Sequence, residues 1–106
     1  MEESEFHEMV DDVLLTIENA IEACGFDIEA ENVSGILTLY FPNDSQIVIN
    51  RQTPTRQIWV ASKSGGYHLD YDQDDENWQQ DGIELFHLLS RECSEQAGAP
   101  IELKPS

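Results

Sequence analysis

Two periodicities divide this chain. From Phe6 to Cys24 the apolar residues recur at helical spacing. Phe6, Met9, Val10, Val13, Leu14, Ile17, Ala20, Ile21 and Cys24 fall on one arc at about 100° per residue. Leu15 breaks the arc and falls on the opposite side. The pattern predicts a helix that starts within residues 3–5, with Ser4 as N-cap, and stops at Cys24 before Gly25.

After that the period drops to two. Residues 27–31 alternate acid and apolar, and Ser34-Gly35 marks a turn. Leu37, Leu39 and Phe41 then face one way, and Ile36, Thr38 and Tyr40 the other. A third strand over 46–51 turns Ile47 and Ile49 inward. Pro54 breaks the ladder, and a fourth strand over 56–61 sends Ile58 and Val60 to the core and Gln57 and Trp59 to the other face. A fifth strand begins at Tyr67, with Leu69 and Tyr71 on its side and His68 and Asp70 opposite. Asp72, Asp74, Asp75 and Glu76 read as a solvated turn, because the glycine and the twelfth-position glutamate of a calcium loop are missing. Asp81-Gly82-Ile83-Glu84 reads as a capping box opening a second helix. The apolar arc of that helix is Ile83, Leu85, Phe86, Leu89, Cys93 and Ala97, and Gly98 ends it. In the tail, Ile101 and Leu103 are expected to lay an apolar edge along the helices.

Hairpin-length turns exclude parallel crossovers. The expected fold is α+β: a single domain over 1–106, built as a two-layer α–β–α sandwich. Its antiparallel sheet has about six strands, with the N- and C-terminal helices packed on one face. The other face is open and carries Thr38, Asn50, Gln57, Trp59 and His68. An outward tryptophan is either an interface anchor or shielded by its neighbours.

Charge changes the picture. Residues 1–31 hold 11 of the 22 acids and no lysine or arginine, and the first basic residue is Arg51. The polar side of the first helix is therefore a carboxylate surface. Glu18 and Glu22 stand four residues apart, where like charges cost roughly 0.2–0.5 kcal/mol. They also lie in the later half of the helix, where the macrodipole disfavours them. Such a face points to a counter-charge from outside, either a hard cation or a basic partner. Glu3, His7 and Asp11 align along the helix edge as a loose metal site, in competition with an ordinary unligated histidine. A net charge of −17 repels phosphates, so nucleic acid and anionic membrane are not expected partners.

No apolar run spans a bilayer and no leader precedes the helix, so a cytoplasmic location is expected. Cys24 and Cys93 form no C-x-x-C pair and are expected to be buried reduced thiols. Phosphate loops, nucleophile elbows and H-E-x-x-H are all missing, which argues against an enzyme. Surface carboxylates bind hard cations loosely, and composition does not choose among iron, manganese, calcium and magnesium.

The run from Asn50 through Arg51-Gln52-Thr53-Pro54 to Gln57-Ile58-Trp59-Val60-Ala61 resembles the signature of the frataxin family. Gly65-Gly66-Tyr67-His68-Leu69-Asp70, Trp78 and Asp81-Gly82-Ile83-Glu84-Leu85 match further motifs. Ser4-Glu5-Phe6-His7 and Leu15-Thr16-Ile17-Glu18 resemble the bacterial branch. The resemblance spans essentially the whole chain and implies iron, Fe2+ or Fe3+, weakly bound on an acidic ridge. The ridge residues it implies are Glu3, Asp11, Glu18, Glu22, Asp27, Glu29 and Glu31, with His7 alongside. It further implies a monomer, open to iron-induced oligomers, that modulates iron–sulfur cluster assembly. The implied partners are the cysteine desulfurase and the scaffold protein, met through Glu18, Glu22, Asn50, Gln57 and Trp59. The helix departs from the family pattern at Asn19, Ala23 and Cys24-Gly25-Phe26, which thins the end of the ridge. The alternatives are a ferroxidase-like iron store and an acidic decoy for a basic protein surface.

Overall fold

A computed structural model describes residues 1–105. The elements run α1 (Glu3–Ala23), β1 (Glu29–Val33), β2 (Ile36–Tyr40), β3 (Gln46–Gln52), β4 (Gln57–Ser62), β5 (Gly65–Asp72), β6 (Asn77–Gln80), β7 (Ile83–Glu84) and α2 (Leu85–Ala97). The seven strands form one antiparallel sheet in sequential order, with β1 at one edge and β7 at the other. Both helices cover the same face. Phe6, Val10, Leu14 and Ile17 of α1, with Leu85, Leu88, Leu89 and Cys93 of α2, form one buried cluster with Leu37, Leu39, Ile47, Ile49, Ile58, Val60 and Leu69 of the sheet. The expected sandwich is the observed one, with seven strands rather than about six.

The extra strand, β7, comes from the segment read as a capping box. Asp81 and Gly82 have φ of 52° and 81°, the both-positive pattern of a tight hairpin turn. They fold β6 back onto β7, so Asp81 caps nothing. The N-cap of α2 is Glu84, whose Oε2 accepts from the Phe86 N–H at 2.7 Å and Oε1 from the His87 N–H at 3.1 Å. Ile83 accordingly belongs to β7 rather than to the helix, and Leu88, absent from the expected arc, is buried.

Other boundaries moved by one or two residues. Ser4 lies inside α1, whose N-cap is Glu2 without a side-chain cap. β1 begins at Glu29, leaving Asp27 in the preceding loop. Arg56 closes the Thr53 turn with φ of 55° and lies outside β4. β5 begins at Gly65, two residues before Tyr67, where it pairs with Ser62. The Asp72 loop is a turn in which Asp72 Oδ1 accepts from the N–H groups of Asp74 and Asp75. Cys93 is buried and Cys24 only half-buried, and both are free.

The tail is fastened by serines. Ser94 Oγ accepts from the Ile101 N–H at 2.8 Å and donates to its carbonyl at 2.9 Å. Ser90 Oγ accepts from the Leu103 N–H at 2.8 Å. Ile101 and Leu103 are thereby held, buried, along α2.

Candidate functional site

The apolar arc of α1 turns its acids outward, and α1 runs beside the edge strand β1. Glu3, Asp11 and Glu22 of the helix are exposed, and Glu18 is half-buried. Period two in β1 leaves Glu29 and Glu31 exposed on either side of Ala30, and Asp27 is exposed in the loop between the two elements. Exposed acids therefore occur on two neighbouring elements, with Glu29 and Glu31 in register with Tyr40 and Thr38 on the sheet side away from the helices. Glu3, Glu18, Glu22, Asp27, Glu29 and Glu31 take part in no ion pair among the described residues, where the salt bridges are Arg51–Asp11, Arg91–Glu92 and Lys104–Glu102. Among the described residues no three His, Cys, Asp or Glu side chains stand close enough to hold a metal ion together.

The N-terminal end of the ridge differs from the rest. Arg51 follows Ile47 and Ile49 in the period-two set of β3 that faces the helices. Its guanidinium meets α1, where Nη1 donates to His7 Nδ1 at 2.9 Å and Nη2 pairs with Asp11 Oδ1. Two of the three residues read as a loose metal site are thus held by an arginine 40 or more positions away in sequence. The period of β3 carried this signal, since the next inward position after Ile49 is Arg51.

The open sheet face holds the second group. Asn50, Trp59 and His68 lie side by side across β3, β4 and β5. Trp59 stacks on His68 with ring centroids 4.1 Å apart and planes 14° from parallel. Its Nε1–H donates to Gln57 Oε1 at 2.9 Å, and Gln57 Nε2 donates to Asp70 at 3.0 Å. Trp59 does lie on the open face, and it is half-buried by these neighbours. With Asn50 and His68 it lines a shallow depression of about 190 Å³.

A charged group that the sequence reading missed lies under the other end of the sheet. Glu92 is 2% exposed. It accepts from Ser62 Oγ at 2.6 Å, from Arg91 Nε at 3.1 Å and from Ser64 Oγ. Burial pushes this carboxyl up, but the hydrogen bonds from Ser62, Ser64 and Arg91 outweigh burial and hold it below the usual carboxylate range. It lies on the buried side of α2 between Leu89 and Cys93, where an apolar residue would be expected. Next to it, burial pushes the Cys93 thiol up to about 12, so this cysteine is inert.

Known proteins match this architecture throughout. The family model described as a Frataxin-like domain covers residues 1–99. The chain is 48% identical over 102 residues to the iron-sulfur cluster assembly protein CyaY of Photobacterium profundum, covering 96% of this chain and 97% of that protein. It is 43% identical over 104 residues to the protein of the same name from Pseudomonas aeruginosa, covering 96% of each. Among solved structures, frataxin from Psychromonas ingrahamii superposes with a TM-score of 0.87 at 32% identity, covering 98% of this chain and 99% of that one. Yeast frataxin superposes with a TM-score of 0.63 at 28% identity, covering 87% and 80%. The chain belongs to the frataxin family and groups there with the bacterial CyaY proteins.

Proposed function

We propose that this protein is a non-enzymatic adaptor of iron–sulfur cluster assembly in the cytoplasm. Its acidic ridge docks on a basic patch of the cysteine desulfurase and carries iron as a weakly held cargo. The open face around Asn50, Gln57 and Trp59 meets the scaffold protein. The observation that carries this reading is the set of acids Glu18, Glu22, Glu29 and Glu31 on two adjacent elements at one edge of the fold, without an internal counter-ion among the described residues. Relatives at 43–48% identity named for cluster assembly support the pathway. Exposed carboxylates that leave water in the shell suit a hard cation that must be given up again. The shallow depression beside Trp59 suits a protein surface better than a small substrate, which is usually enclosed in about 300–1,000 Å³.

The test is binding of the purified desulfurase with a chelator present, and then iron titration of the ridge with and without the desulfurase. The reading expects the complex to form without metal and iron uptake to fall in the E18Q/E22Q/E29Q/E31Q variant. A protein that ignores the desulfurase and keeps its iron uptake in that variant contradicts it.

A further inference from the structure

We propose that Arg51 is an internal competitor for metal at the N-terminal end of the ridge: His7 and Asp11 take up a hard divalent cation only when its guanidinium is displaced. This rests on the ridge being a cation surface and concerns which part of it is available. An arginine only donates, so His7 Nδ1 must be the acceptor of the 2.9 Å hydrogen bond, and the proton of the neutral ring sits on Nε2. A cation at Nδ1 has to take the lone pair that Arg51 now uses. A cation at Nε2 sends the ring proton to Nδ1, where it points at the guanidinium N–H groups. Either route breaks the contact with His7.

Arg51 also resists displacement. Its side chain is 16% exposed, so an unpaired guanidinium there would keep little of its hydration. The turn at Gly35 walls it in, since a Cβ on that glycine would stand 3.2 Å from Nη2. Glu29 and Glu31, exposed and without such a partner, are open to cations from the start. The ridge is then graded, free at β1 and the later half of α1 and closed at His7 and Asp11.

Manganese(II) broadening of backbone amides by NMR, in wild type and Arg51→Gln, tests this. In wild type the amides of Glu29 and Glu31 should broaden at lower manganese than those of His7 and Asp11. In Arg51→Gln the midpoint at His7 and Asp11 should fall by roughly tenfold to a hundredfold, the scale of one charge-assisted hydrogen bond. Midpoints at His7 and Asp11 that do not move, or that lead in wild type, overturn the proposal. If Arg51→Gln melts below the working temperature, Arg51→Lys takes its place, keeping a point charge without the fork. It should give a smaller shift in the same direction, and no shift overturns the proposal. Loss of broadening at Glu29 and Glu31 alone would instead count against the ridge as a metal surface, while the His7 and Asp11 comparison still decides the role of Arg51.

Discussion

The two tryptophans make opposite demands on the fold. Trp78 is 3% exposed, with Phe6 and Tyr71 edge-on at 6.0 and 5.3 Å, so Trp78→Ala should cost about 3–5 kcal/mol and unfold much of the population. Trp59 sits on the open face and loses a stack worth about 0.5–1.5 kcal/mol plus part of its burial. Trp59→Ala should therefore melt well above Trp78→Ala, while weakening assembly with the desulfurase and scaffold. A thermal melt of each followed by a binding assay separates core from interface. Glu92 makes a third residue-scale prediction. Its folded pKa is lowered, so its stabilisation is present at neutral pH and is lost as pH falls through the acid range, below about pH 4. Glu92→Gln should be less stable than wild type by about 1–3 kcal/mol at pH 7, and the gap should close toward pH 3. A constant gap across that range would assign the loss to packing instead of charge. The sequence did not announce Glu92, because its partners Ser62 and Ser64 lie in a hairpin about 30 positions away.

At the scale of elements, long periodic stretches were readable and short ones were not. The apolar arc of α1 and the alternation of β2 to β5 each repeat often enough to fix a face. β6 and β7 span four and two residues and bury only Trp78, too few repeats to set a period. The same Asp-Gly pair serves as a hairpin turn or as the start of a cap, and here the hairpin took it. Glu18 and Glu22 of α1 have no ion-pair partner among the described residues, so no internal cation offsets the repulsion expected between them. Replacing both by glutamine should raise the melting temperature at low salt and, under the proposed function, shrink any rise in melting temperature produced by added iron. A double variant less stable than wild type at low salt would mean that those carboxylates have structural partners. The serine clamp of the tail gives a smaller effect: Ser90→Ala with Ser94→Ala should loosen Ile101 and Leu103 and cost about 1–3 kcal/mol in a chemical melt.

Across the whole molecule, the fold places helices on one side of the sheet, an open face on the other, and carboxylates along one edge. That division was legible because each sheet face has its own alternation and because the acids are concentrated in residues 1–31. The inward position of Arg51 follows from the period of β3, but its partners His7 and Asp11 were not legible, because they meet it only after β3 has folded under α1. A net charge of −17 gives the molecule a long-range field that steers it toward a basic surface and is screened beyond about 10 Å at 0.1 M salt. The most direct test is the affinity for the purified cysteine desulfurase, with a chelator present, across a salt series for wild type and Glu18→Lys/Glu22→Lys. Docking through the ridge predicts that wild-type affinity falls steeply with salt and that the double reversal weakens binding strongly at low salt while flattening the salt dependence. Equal affinities for both proteins at every salt concentration would contradict it.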